Sequence, residues 1–404
     1  MKKIINLLKF FYKSKKIWSK PPKSEILIYD YNLAKYFIQK ISNYKCQILY
    51  LRGEMINMFI LFKLILQFKF KNLLSNYCKL YIEEVQPKII ITGTDNDIKF
   101  YDLQNKITKI KFTTVVIQNG HRTLTSPDIL NYFDKFTGKG YRADYFLCFN
   151  NAIGKIYKEM FNSNYIPIGS FLNNINFSLT KNTNKKNFFW ISQFRSRRKV
   201  FDEKSLTPNQ QKNFKNFDFE EYCSPEKKII PKIFEFCQKN NLNFKIISSY
   251  KSDQSECILE KEFFEKILES SDWEMTINKK KDRLSAYEIL SSEAEFVAHI
   301  DSTLGYECLS RGIKTIQFLC RESCYPNEKW IFAWPNNFPN TGMIWTDVDS
   351  DEEITRLLDY IYQIDNESWQ KYLSKLIPDV MEIDPNNEKF EKLIKSLIIK
   401  ENKA

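Results

Sequence analysis

Histidine and glycine are scarce: two and ten residues in a chain of 404. Nine cysteines are scattered without a Cys-x-x-Cys pair or a His/Cys cluster of ligand spacing. A zinc centre is therefore not expected, and the cysteines read as reduced, mostly structural thiols. Long apolar runs are missing too. The stretch Ile56–Phe70 is broken by Lys63, Gln67 and Lys69 and falls short of the ~20 apolar residues that a membrane-spanning helix needs. The opening MKKIINLLKFFYKSKKIWSK starts basic, but Lys9 cuts its apolar run, KSKK closes it, and no small-residue cleavage site follows. It does not read as a signal peptide.

What is present is ordinary for a folded chain: 43% apolar and 27% charged residues, which excludes a largely disordered or fibrous protein. The length exceeds the ~100–200 residues of one domain, so two are expected. Phe (33) and Tyr (22) are abundant, but so are Lys, Ile and Asn, which reflects coding bias as much as chemistry. A net charge of +12 means attraction to anions: nucleic acid, an anionic membrane face or phosphorylated substrates.

From Glu25 onward, short apolar runs (EILIYDY, CQILYL, KIIITG, FTTVVIQ, YFLCF) alternate with helix-period segments, the pattern of parallel βαβ units. A second series, FFWIS, FKIISS, FVAHI, KTIQFL and GMIWT, follows the polar stretch NNINFSLTKNTNKK. The expected organisation is a basic amphipathic segment (1–20), a first Rossmann-like domain (21–172), a linker (173–186), a second Rossmann-like domain (187–385) and a C-terminal helix (386–404) that could return to the first domain. Lysines alternating with apolar residues in 1–20 suit peripheral binding to an anionic membrane leaflet; a surface helix of the first domain explains them equally well.

In parallel α/β sheets, ligands bind beyond the carboxyl ends of the strands, and here those ends are polar: TDND (94–97), QNGHR (118–122), SQFRSRR (192–198) and DSTLGYE (301–307). Any one could be a turn or a cap; together they point to a shared active cleft. Asp301 or Ser302 can cap a helix running to Gly312, leaving the N–H groups of Ser302, Thr303 and Leu304 to hold phosphate, with Gly305 allowing close approach. Glu307, one turn in, could accept from ribose hydroxyls. Arg195, Arg197 and Arg198 stand where a donor phosphate would lie, or form a solvated basic loop. Asp95, Asp97 and His121 are candidates for a general base, with Glu54 of LRGE a fourth; His121 is otherwise a structural histidine. His299, inside FVAHI, reads as a core or near-cleft residue.

At LRGEMINMFIL (51–61), PKIIITGTDNDIKFYDL (87–103), VIQNGHR (116–122), WISQFR (190–195) and IDSTLGYECLSRGIKTIQF (300–318), the sequence resembles a family of O-antigen or surface-carbohydrate biosynthesis proteins of bacterial polysaccharide gene clusters. The last segment is also similar, more distantly, to the donor-nucleotide segment of GT-B glycosyltransferases. The resemblance implies an α/β fold of two Rossmann-like domains facing a cleft (GT-B type) and a metal-independent transferase whose donor binds mainly in the C-terminal domain. It carries over only Arg195, Ser302, Thr303 and Glu307 as donor contacts and Asp95, Asp97, Asn119 and Arg122 as cleft residues, with residues 21–172 as the acceptor domain and 187–385 as the nucleotide-sugar domain. The strand-end reading adds Arg198, Asp301 and Gly305 to the donor candidates, His121 beside Asp97 and Asp95 to the catalytic ones, and Glu54, Gln118 and Gly120 to the acceptor and cleft. The DND at 95–97 formally matches a metal motif, but its place in the first domain reads as acceptor-side.

The function expected is transfer of a sugar from a nucleotide-sugar donor, a substrate and not a cofactor, to a lipid-linked or oligosaccharide acceptor. No resident cofactor, metal or nucleic-acid partner is expected. The expected setting is the cytoplasm, peripherally at the inner membrane. An epimerase or hydrolase of nucleotide sugars would share the donor site. A basic nucleic-acid-binding protein fits the charge but leaves the polar strand ends without a role.

Overall fold

The computed structural model describes residues 11–67, 72–122, 140–178, 185–194, 222–251, 254–278, 284–320 and 331–403. The chain divides into two compact units: unit 1 comprises residues 1–119, 131–171 and 386–404, and unit 2 residues 120–130 and 172–385.

Unit 1 contains strands β1 (Lys15–Ile17), β2 (Ile26–Tyr29), β3 (Cys46–Leu49), β4 (Met55–Asn57), β5 (Ile89–Thr92), β6 (Thr113–Ile117), β7 (Tyr145–Cys148) and β8 (Asn164–Pro167). Six of them form one parallel sheet in the order β3-β2-β5-β6-β7-β8. Its inner strands are continuous apolar runs, ILIY and IIIT, buried at every position, as a parallel sheet covered on both faces requires. β1 and β4 form a separate parallel pair. The segment expected to be a single amphipathic stretch is thus helical only over residues 11–13 in its described part, then extended. The pairing groups of Met55–Asn57 impose the strand.

Unit 1 is completed by the C-terminal helix Glu388–Lys403. Phe390 packs on Phe37 and Phe171, with ring centroids 5.9 and 5.2 Å away. Just before the helix, Asn387 donates to the carbonyl of Phe171 at 2.9 Å.

Unit 2 contains β9 (Asn187–Ile191), β10 (Asn243–Lys251), β11 (Trp273–Asn278), β12 (Ala294–His299), β13 (Lys314–Phe318) and β14 (Trp345–Thr346). They form a parallel sheet in the order β11-β10-β9-β12-β13-β14. Numbered within the unit, this is 3-2-1-4-5-6, the dinucleotide-binding Rossmann order. Unit 1, numbered the same way, is 2-1-3-4-5-6, the other common doubly wound order, so both units are parallel α/β sheets of the doubly wound kind. Asn173 and Asn174, expected in a linker, are buried in unit 2. Asn173 accepts from Arg311 Nε through its side chain at 2.6 Å and from a terminal guanidinium nitrogen through its carbonyl at 2.5 Å. The polar composition that reads as a spacer supplies what a buried guanidinium needs.

Candidate active site

In unit 2 the strand order reverses between β9 and β12, and a crevice is expected at their carboxyl ends. Gln193, two residues beyond β9, ties the two ends together: its Oε1 accepts from the N–H of Asp301 at 2.7 Å. Glu260 steadies the same turn from beneath. Fully buried, it accepts from the hydroxyls of Ser192 and Ser248 and from the N–H of Ser249 at 2.9 Å. Burial raises its carboxyl pKa, and the donors pull the other way.

The helix Thr303–Ser310 begins at this point with Ser302 as its N-cap residue, whose side chain makes no capping bond. The N–H of Ser302, expected to face phosphate, donates to Nδ1 of His299 at 3.2 Å. The first-turn N–H groups of Thr303 and Leu304 keep the anion-binding character of a helix start. Gly305 also admits a close neighbour from the chain itself. A Cβ there would lie 2.1 Å from the His299 ring, so glycine is required by the imidazole lying flat on the helix backbone.

His121 joins the same group, for Gly120 to Arg122 belong to unit 2. Its N–H donates to Thr303 Oγ1 at 2.9 Å, and its ring stacks on Tyr306 with centroids 4.1 Å apart and planes 18° from parallel. His299 meets the same tyrosine edge-on at 5.6 Å. Both ring nitrogens of His121 are buried without a hydrogen-bond partner. Burial, aided by the charge of Arg122, pushes its pKa down to about 3. Burial, aided by His121, does the same to His299. Each imidazole is neutral at physiological pH, so His121 can offer a hydrogen bond but is a weak base. Glu307 turns inward: it is buried, and its Oε2 accepts from the Tyr287 hydroxyl at 2.9 Å. Arg195, Arg197 and Arg198 lie outside the described residues.

In unit 1 the order reverses between β2 and β5. Asp30, directly after β2, holds a left-handed backbone (φ 78°), an uncommon conformation for a residue with a Cβ. Its buried Oδ2 accepts from Arg52 at 2.9 and 2.6 Å and from Thr94 Oγ1 at 3.1 Å, while buried Oδ1 has no partner. Asp97 lies nearby, capping a short helix by accepting from the N–H of Lys99 at 3.0 Å. Burial raises its pKa most; the bond from Lys99 opposes this and the Asp30 charge adds to it. Asp30 is thus held by an arginine, while burial makes Asp97 beside it readier to take a proton than an ordinary carboxylate. Sequence reasoning missed Asp30, Arg52 and Gln193. The signal for Asp30 was an acidic residue ending EILIYD, the same strand-end rule that selected TDND.

The other expected residues are spread through the units. Asp95 is buried and accepts from the N–H of Asn119 at 3.2 Å and from Tyr157 at 3.4 Å, the bonding of a brace. Gln118 is buried and accepts from the N–H of Phe149 at 2.9 Å. Glu54 accepts from the N–H of Arg52 at 3.2 Å. Among the described residues no group of three or more His, Cys, Asp or Glu is placed to hold a metal ion, and no helix is long and apolar enough to cross a membrane.

Residues 115–398, well over half of the chain, match the model of a family described as "putative O-antigen biosynthesis protein". The chain belongs to that family. No curated protein matches it. Among solved structures, this O-antigen biosynthesis family member is similar to the wall teichoic acid polymerase TagF (11% identity, 94% of this chain and 89% of that one, TM-score 0.49). It is also similar to sucrose-phosphate synthase from Thermosynechococcus elongatus (11%, 88% and 84%, 0.45) and to the lipopolysaccharide outer core galactosyltransferase WaaB (12%, 93% and 99%, 0.42). Likenesses this distant assign no substrate and no residue role to the family member.

Proposed function

We propose that this protein is a metal-independent glycosyltransferase of O-antigen or capsule synthesis, moving a sugar from a nucleotide-sugar donor to a lipid-linked or oligosaccharide acceptor in the cytoplasm. The observation that carries the reading is the helix start at Ser302, seated at the strand-order reversal of a 3-2-1-4-5-6 sheet with two neutral imidazoles packed against Tyr306. Such a terminus stabilises a diphosphate as its charge grows on departure from the sugar. A neutral His121 adds a hydrogen bond without needing to lose or gain a proton.

Unit 1 carries the acceptor chemistry in this reading. Asp97, with its raised pKa, takes the acceptor hydroxyl proton as that oxygen bonds to the anomeric carbon and the donor phosphate leaves. Asp95 and Asn119 shape the neighbouring loop. Asp97 is preferred to His121 as the base because an imidazole held near pKa 3 has little affinity for the proton.

The purified protein, given a panel of nucleotide sugars and a lipid-linked oligosaccharide, should release nucleotide only when the acceptor is present. Full turnover without acceptor would replace this reading with an epimerase or hydrolase. Asp97→Asn should bind nucleotide normally and lose transfer roughly 10²–10⁴-fold; an unchanged rate would remove Asp97 from the mechanism.

A further inference from the structure

We propose that one face of unit 1, built from Trp18 and the helix Met58–Leu66, docks on an anionic lipid bilayer. The helix reads MFILFKLIL, apolar at eight of nine positions. A helix hydrophobic all round belongs in a core or a membrane environment. Here only part of it is covered: Met58, Ile60 and Leu64 are buried, while Phe62, Ile65 and Leu66 are 48%, 43% and 78% exposed. At spacings i, i+3 and i+4 these three share one face. Trp18, 65% exposed, extends it, with its ring 6.0 Å from that of Phe62. Four large apolar side chains facing outward together mark an interaction surface.

The charges around this face select the partner. Residues 11–20 and 58–66 contain five lysines (Lys13, Lys15, Lys16, Lys20 and Lys63) and no acidic residue. Glu84 is the carboxylate that meets them, shared by Lys20 and Lys63, and it leaves an excess of positive charge. An apolar centre with a tryptophan and a basic surround matches the interface of a bilayer with anionic headgroups. A neutral protein partner would gain nothing from the lysines. The helix lies nine residues long, far short of a span, so the contact is peripheral. This inference stands apart from the transfer reading and fails or holds without it.

The test uses the full chain and vesicles of phosphatidylcholine with or without phosphatidylglycerol. The protein should sediment with the anionic vesicles and much less with the neutral ones, and the double variant Phe62→Ser, Leu66→Ser should bind at least about tenfold more weakly. Trp18 emission, isolated by subtracting the Trp18→Phe spectrum, should shift to the blue on binding. Because the exchanged side chains are exposed, the double variant should keep its melting temperature and its nucleotide response. Equal vesicle binding by wild type and double variant overturns the proposal. So does wild-type self-association that the same substitutions abolish, which would make the face a contact between copies.

Discussion

At residue scale the two buried histidines make unit 2 sensitive to acid. Their imidazoles are held neutral with pKa near 3, against about 6.5 in an unfolded chain. As pH falls below about 6.5 the unfolded chain takes up protons that the folded one refuses. The stability these groups contribute is therefore present above that pH and lost between it and about 3, each giving a slope of up to about 1.4 kcal/mol per pH unit. Urea midpoints measured from pH 7.5 down to 5 should fall, and His299→Gln should flatten the decline; an unaltered slope would mean that His299 is not kept neutral. Gly305→Ala tests the same packing sterically. A methyl group 2.1 Å from the ring should cost about 1–3 kcal/mol and weaken nucleotide binding, since His299 holds the N–H of the N-cap residue.

At element scale, periodicity predicts every inner strand of both sheets, and the edge strand β3 (CQIL) as well. β2, β5, β6, β7, β9, β12 and β13 are apolar runs because sheets covered on both faces leave them no solvent. β8 (NYIP) and β11 (WEMTIN) were not foreseen, and both are edge strands, where one side faces no neighbour and polar residues are tolerated. The expected GMIWT strand shrinks to Trp345–Thr346 at the other edge of its sheet. The C-terminal helix shows the opposite case, where sequence identified the element but not its contacts. Its anchor is Phe390, fully buried against Phe37 and Phe171. Phe390→Ala should lower the stability of unit 1 by about 3–5 kcal/mol, read as an earlier melting transition; a change within experimental error would show that the helix is held by its other contacts.

At the scale of the whole molecule, a ligand that binds only the folded state raises the melting temperature by mass action, by about 2.7 kcal/mol of stability at a hundredfold excess over its Kd. Scanning CMP, UDP, GDP, ADP and TDP should pick out one base by such a rise, and Ser302→Pro, which removes the N–H held by His299, should reduce it. No response to any nucleotide would remove the donor assignment. Length, composition and the alternation of apolar runs with helix periods determined by themselves that there are two parallel α/β units and that polar residues follow their strands, because burial on both faces of a sheet is written into local sequence. Which strand ends adjoin depends on strand order, and strand order is set by long-range pairing that no local pattern records. Tertiary structure alone therefore decided that Gln193 meets Asp301, that Asp30 holds Arg52, that Gly305 makes room for His299, and that Asn173 is the partner of a buried arginine and not part of a tether.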